Sequence, residues 1–437
     1  MASIPEIDNA PINDSSGDAQ LPALPLRRRM TGRDIYESHR ASSPLEALFD
    51  LTTVVAVAAV ASRLHHDISG GHYLEAVPNL LFSFFAVWWS WMNFAWFSSA
   101  YDNDDTGYRL ATLIQMVGVL LMASGLHQGA EGQFTDTIGF TVIRISMIGL
   151  WLRASREHPE RRTVCRRYAL GQVAVQSLWL LRIAFMAALP PGWTIASFVA
   201  LAAVELSIPA WAERAGSTPW HPHHIAERYG LFTTILLGEC MVGAASAMGG
   251  MLKAQGWSVN LAVVSLATVG LIFGLWWTYF LVPFAQVLHK RRERGFLWGY
   301  GHALVFVALA ALSGVLEVIA DLLGSPSEHT SGAVANHAVS TTLHHGVTPT
   351  LAIAFAAGAV LMFLSALWWL GGQTTRRRER SFIYLLPSTL VVAGAVAAVS
   401  LRLPLAWSFL LLAASPFALI VVVMRQRSLR PEQFSVR

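Results

Sequence analysis

Arg144, Arg182, Glu205 and Glu239 stand inside long apolar runs of a 437-residue chain. An ionisable side chain within a membrane-spanning helix is costly, and it marks either an ion or proton path or a buried partner. At about 1.5 Å of rise per residue, Arg144 and Glu205 lie about 12–15 Å from one end of their runs, and Arg182 and Glu239 about 21 Å. Matching depths predict two pairs, Arg144 with Glu205 and Arg182 with Glu239. Two chemistries are open to them: fixed ion pairs between helices, or a carboxylate that alternates between arginine and a proton or cation, as transport coupling requires. Glu46 and Asp50 are four residues apart and share one helix face, one turn apart. A carboxylate in the first turn of a helix is favoured by the helix dipole, so capping accounts for Glu46 and for Glu227. Asp50 lies one turn deeper and needs either a buried hydrogen bond or a functional reason.

Of the 15 histidines, His221, His223 and His224 precede Glu227. His223 and Glu227 are four apart, a spacing that can bind a metal ion, but the order is not that of a His-Glu-x-x-His zinc protease. His329, His337, His344 and His345 lie in a Gly/Ser/Thr-rich stretch over 323–345 that reads equally well as a polar loop. No metal site is assigned to either. There is no phosphate-binding glycine loop, no nucleophile elbow and no Cys/His catalytic spacing, so neither an enzyme nor a cofactor is expected. Cys165 and Cys240 read as free thiols.

The elements that must position these groups follow from composition. The chain is 54% hydrophobic and 13% charged, with mean hydropathy +0.47, against about 25% charged residues in soluble domains. A water-soluble enzyme is excluded, and a net charge of +4 is too small to imply a nucleic-acid partner. A transmembrane helix needs about 20 apolar residues. Twelve such runs are present: 44–64, 73–97, 109–127, 135–153, 168–189, 193–213, 224–249, 259–284, 296–322, 346–370, 382–400 and 406–424. The expected fold is all-α and polytopic. Residues 1–43, rich in Pro, Asp, Ser and Arg, read as a disordered tail, and 425–437 as a basic tail. With twelve spans, 26 of the 31 Lys and Arg fall on the side of the termini and three, Arg63, Lys253 and Arg402, on the other. Cytoplasmic loops are the basic ones, so both termini are expected in the cytoplasm. Trp88–Trp89, Trp276–Trp277 and Trp368–Trp369 end helices on that side and read as an interfacial aromatic belt.

The Trp pairs also expose a repeat. Phe85-Ala-Val-Trp-Trp-Ser-Trp91 matches Phe273-Gly-Leu-Trp-Trp-Thr-Tyr279 at a shift of 188, and Asp105-Thr-Gly-Tyr108 meets Glu293-Arg-Gly-Phe296 in the same register. Glu46-Ala-Leu-Phe-Asp-Leu-Thr-Thr53 matches Glu227-Arg-Tyr-Gly-Leu-Phe-Thr-Thr234 at a shift of 181. Two parallel six-helix halves are therefore expected, 44–213 and 222–424. That is one plan used by secondary transporters, with the substrate site between the halves near the midplane. An enlarged structural membrane protein would carry the same repeat.

Three motifs resemble the bacterial low temperature requirement protein A (LtrA) family: Pro44-Leu-Glu-Ala-Leu-Phe-Asp-Leu51, Trp88-Trp89, and Trp220-His-Pro-His-His-Ile-Ala-Glu-Arg-Tyr-Gly-Leu-Phe-Thr-Thr-Ile-Leu-Leu-Gly-Glu239. With the span pattern, the resemblance covers about 40–424. Leu48-Phe49 stands where the family usually has two aromatics. The resemblance implies a multi-pass bacterial inner-membrane protein linked to growth in the cold. It marks Glu46, Asp50, His221, His224, Glu227 and Glu239 as motif positions without giving any of them a role.

The reading that joins these features is a secondary transporter or channel for a small solute or ion. Its protons are expected to be coupled through Glu239, Arg182, Glu205, Arg144 and Asp50, and its partners are the lipid bilayer, the solute and protons. The alternative is a non-transporting membrane factor that supports the envelope or growth at low temperature.

Overall fold

The computed structural model describes residues 26–35, 37, 40–128, 132–185, 190–324, 347–374 and 382–429. From Pro44 onward these form helices joined by short connections, with no strand among the described residues. In order the α-helices are α1 (Pro44–Ser69), α2 (Tyr73–Tyr101), α3 (Thr106–His127), α4 (Gln133–Glu157), α5 (Arg162–Phe185), α6 (Pro191–Glu213) and α7 (Pro222–Gln255). They continue with α8 (Val259–Phe280), α9 (Phe284–Lys290), α10 (Gly295–Gly324), α11 (Pro349–Thr374), α12 (Leu386–Ser400), α13 (Leu405–Ala413) and α14 (Ser415–Leu429).

Local sequence explains the ends of the helices. Ser43 and Glu46 form a reciprocal capping box with Pro44 in the first turn of α1. Asp105 caps α3 through the Tyr108 N–H and Ser258 caps α8 through the Leu261 N–H. The chain leaves α7 through Gly256 at φ +67°, a conformation that glycine adopts without a Cβ clash.

Among the described residues, ten helices are long and apolar enough to cross a bilayer. The expected fifth and eleventh spans are helical but fall outside that set. α5 carries Arg162, Arg166, Arg167 and Arg182 along its length. α12 has only 15 residues, about 22 Å of helix, because the chain runs as a short 3-10 turn over Phe382–Leu385 before it. The expected last span divides into α13 and α14 at Ala414, just before Pro416, which has no N–H to continue the ladder. Its two pieces together still span.

α1 packs on α2 and α3, and α3 packs on α4; in the second part α7 packs on α8 and α10, and α10 on α11. Across the chain, α10 packs on α1 and α2, and α7 meets both as well. Small residues let the backbones approach closely. A Cβ on Gly118 of α3 would come within 2.7 Å of the Gly139 carbonyl oxygen of α4, and one on Gly314 of α10 would strike the Ala61 carbonyl of α1.

Two expectations need correction. Within 1–43, the described residues from 26 onward are packed rather than disordered. The Met30 N–H donates to Glu157 Oε2 at 2.6 Å, the Arg28 N–H to Asp105 Oδ2 at 2.9 Å, and the Arg33 N–H to the Ala100 carbonyl at 3.0 Å. Those carboxylates and the open end of α2 supply partners that composition alone does not reveal. Residues 1–25 lie outside the described residues. Finally, Trp88 and Trp89 are buried, not at a lipid interface, because Tyr300 of α10 packs over both at 6.3 and 6.0 Å between ring centres. Trp276 and Trp369 are partly exposed, as a belt requires.

Candidate functional site

The structure brings Arg144 and Glu205 together. Arg144 Nη2 donates to Glu205 Oε1 at 2.8 Å, joining α4 to α6. Glu205 is fully buried and also accepts from the indole N–H of Trp89 at 2.8 Å and of Trp179 at 3.2 Å. The carboxylate is thus surrounded by three donors, a charge-assisted arrangement that fixes it in place. Of the two chemistries open to this pair, the fixed ion pair describes its geometry.

Arg182 and Glu239 do not meet. The Arg182 guanidinium donates to Ser197 Oγ and to the Thr194 carbonyl, both at 3.0 Å, across the α5–α6 connection. It also stands over the rings of Trp179 and Phe198 at 5.7 and 5.8 Å. Equal depth sets only the height of a side chain, whereas the azimuth of α5 directs this one to its neighbour α6. Glu239, half-buried on α7, instead lies in the field of Glu317 of α10. Among the described residues no arginine or lysine pairs with it.

The densest charge lies where the starts of α1 and α7 meet. Arg228 of α7 is fully buried and donates to Asp50 from Nε at 3.1 Å and from Nη2 at 2.5 Å. Its Nη1 stands 3.0 Å from Glu46 Oε1 and donates to Ser98 Oγ of α2 at 3.1 Å. His224, one turn before Arg228, donates from Nε2 to Glu46 Oε2 at 3.1 Å. The Trp91 indole N–H of α2 completes Asp50 at 2.7 Å. The two motif segments at the starts of α1 and α7 therefore face each other and share ligands. Two buried carboxylates against one permanently charged guanidinium leave one negative charge over, which a proton on His224 or on a carboxyl would cancel. His224 Nδ1 is buried with no partner, so the ring has an unused position as well.

The surroundings extend the network toward the N-terminal segment. His221 caps α7, taking the His224 N–H on Nδ1 at 3.3 Å and donating from Nε2 to the Glu37 carbonyl at 2.8 Å; burial moves its pKa below the ordinary value. Arg40 donates to the carbonyls of Ser98, at 2.8 Å, and of Ser99, capping the C-terminal end of α2. Asp102 stands 4.0 Å from Arg40; burial, reinforced by the Glu46 charge and opposed by Arg40, raises its pKa to about 6. Asp105 behaves oppositely. Burial pushes it up, but hydrogen bonds from Arg153 and from the Arg28 and Tyr108 N–H groups outweigh burial and hold it at about 2. Glu227 lies in the second turn of α7, not the first, because α7 begins at Pro222. It accepts the Ser42 N–H at 3.3 Å.

The residue that spacing missed is Arg228. Its place in the charge alternation assigned it to a cytoplasmic loop, yet it is buried on α7. The signal available was its position, one residue after Glu227 and four after His224, which puts it on the helix face that His224 presents to α1. Among the described residues no group of three or more His, Cys, Asp or Glu is arranged to hold a metal ion; the cluster at His329, His337, His344 and His345 lies outside them.

Apolar spanning helices that bury arginine–carboxylate clusters define a multi-pass helical membrane protein. The sequence matches the bacterial low temperature requirement A protein (LtrA) family over residues 41–424, and the chain belongs to that family. A protein of Rhizobium meliloti (strain 1021), itself described as uncharacterized, is 25% identical over 280 residues, which is 60% of this chain. The match spans 65% of that relative's length.

Proposed function

We propose that this LtrA-family protein is a proton-coupled secondary transporter or channel for a small solute or ion. It would lie in the bacterial inner membrane with both termini in the cytoplasm, as twelve spans in two parallel six-helix halves. The observation that carries the reading is the placement of titratable groups along one interface. Glu46, Asp50, His224 and Arg228 lie at one end of the α1/α7/α10 contact and hold one uncancelled negative charge. Glu239 lies farther along the same contact, beside Glu317. Between them Trp91 stacks on Phe232 at 4.2 Å and meets Phe306 edge-on at 5.5 Å, an aromatic partition of the kind alternating access must open. The parallel packing of α1 on α2 and α3, and of α7 on α8 and α10, supports the two-half arrangement. Coupling is assigned to Glu239 and Asp50, whereas Arg144 and Glu205 serve as a fixed strut and Arg182 as a tie within its own half.

The test is reconstitution into liposomes loaded with a pH-sensitive dye. Proton movement driven by a solute gradient is expected, and its loss in Glu239→Gln with unchanged elution from a sizing column. No flux with any solute class, or flux equal to the parent in both Glu239→Gln and Asp50→Asn, refutes the reading. The saturated Arg144–Glu205 pair favours the second reading, a non-transporting factor supporting the envelope or growth in the cold. Under that reading, growth at low temperature survives Glu239→Gln and Asp50→Asn alike.

A further inference from the structure

The opposite end of the α1–α10 contact carries charged groups to which the coupling scheme gives no task. α1 and α10 approach closely where Gly314 lies against the Ala61 carbonyl. One turn beyond Ala61, the His65 ring stands between two carboxylates of α10. Its Nε2 is 2.7 Å from Asp321 Oδ2 and its Nδ1 is 3.4 Å from Glu317 Oε2. A neutral imidazole has one N–H and can donate to only one of them; the imidazolium donates to both and cancels one of the two charges. Histidine is the side chain whose charge ordinarily changes near neutral pH, so the number of donors at this contact depends on pH.

Other charged groups among the described residues also face this contact. His66 follows on α1, its ring 5.2 Å from that of His65 and within the field of Glu317. From α7, Gly243 leaves room for Glu317, whose Cγ would be 3.4 Å from a Cβ there, and Glu239 lies one turn back. Arg63 faces Asp67 at 3.9 Å, and Asp67 also accepts from Asn79 Nδ2 at 2.9 Å. At the Arg228 end the cation bridging α1 to its neighbour is a guanidinium, charged at every relevant pH. At this end it is an imidazole with 17% side-chain exposure. The two ends of α1 therefore differ in which of them protons can release.

We propose that His65, Glu317 and Asp321 form a proton-operated latch between α1 and α10. When His65 is protonated the latch holds the ends of the two helices together. When it is neutral, the ring can donate to only one of Glu317 and Asp321, their two charges repel each other, and this end of the interface opens about the Ala61–Gly314 contact. The latch rests on the transport reading only for its purpose, as the gate on the side away from the N-terminal segment.

The test is a distance measurement on the full chain in lipid nanodiscs, with spin labels at Leu74→Cys and Trp257→Cys, both highly exposed at this end, and with the buried Cys165 and Cys240 replaced by Ala. A single short distance is expected at pH 5, with a longer population growing in as pH rises through the titration of His65. His65→Gln should abolish the pH response and His66→Gln should keep it. If His65→Gln does not fold, the pair Glu317→Gln and Asp321→Asn must abolish the response in its place. A distribution independent of pH, or a response retained without His65 or without both carboxylates, overturns the latch. No solute is needed: flux that persists while the distances ignore pH refutes the latch alone, and working distances without flux refute transport alone.

Discussion

Replacing Arg228 by Met removes the guanidinium shared by Asp50 and Glu46 while keeping much of the side-chain length and apolar packing. Asp50 keeps the Trp91 indole donor, and Glu46 keeps its capping-box N–H and His224, so hydrogen bonding survives in part and charge compensation does not. Removing one partner of a buried pair costs about 3–5 kcal/mol, a factor of at least about 100 in the folding equilibrium at about 1.4 kcal/mol per tenfold. Asp50→Leu alone leaves Arg228 with Glu46 and should cost less. In the double variant the charge that Arg228→Met strands on Asp50 is gone, so the two single costs should exceed the double cost by about 2–3 kcal/mol. The assay is equilibrium unfolding in mixed detergent micelles, followed by tryptophan fluorescence. Additivity within about 0.5 kcal/mol would show that the two side chains do not share a charge balance, and the cluster could not then hold the proton assigned to it.

Arg182→Gln and Glu239→Gln should instead be additive within about 0.5 kcal/mol in the same assay, since the two residues lie on different contacts; a coupling above 1 kcal/mol would restore the pair expected from depth. Gly118→Ala should destabilise by about 1–3 kcal/mol through overpacking at the α3–α4 crossing, whereas Gly149→Ala, with open space around it, should be neutral. Asp102 predicts a pH dependence. Its folded pKa of about 6 lies above the unfolded value of about 3.9, so the folded state binds the proton more tightly, and stability should fall as pH rises from about 4 through 6. Asp102→Asn should flatten that slope in thermal unfolding scans, and an unchanged slope would assign it to another group. Asp105, depressed to about 2, acts in the opposite sense: its contribution is full above about pH 4 and fades as pH falls toward 2.

Helix positions were legible because span length and the 1.5 Å rise follow from composition alone, and each of the twelve expected runs contains helix. The Arg144–Glu205 pair was legible for a narrower reason: α4 and α6 both pack on α5, and depth was then sufficient to choose the partner. Depth failed for Arg182, whose acceptors include Ser197 and the Thr194 carbonyl, groups that are polar but uncharged and so carry no signal in a search for opposite charges. It failed for Arg228 in another way. A basic residue at a helix start scores as a loop residue under the positive-inside pattern, and only the three-dimensional meeting of α1 with α7 shows that Asp50 and Glu46 claim it. Trp88 and Trp89 were misplaced by the same kind of inference, since an aromatic pair at a helix end looks identical whether lipid or Tyr300 lies beyond it.

What the sequence lacked in each case was the azimuth of one helix against another, and that quantity also orders the charged groups by mobility. Glu205 sits between α4 and α6, helices joined through their common neighbour α5, with three donors around it; nothing there can exchange without unpacking α4 from α6. Asp50, Glu46, His224 and Arg228 sit between α1 and α7, and His65, Glu317 and Asp321 between α1 and α10, so a tilt of α1 against α7 and α10 changes their distances without disturbing the Arg144–Glu205 pair. A charge that must be reached in turn from two sides has to lie on a contact of that second kind. α1 is the helix common to both clusters, which makes it the element whose tilt would join protonation at one end to rearrangement at the other.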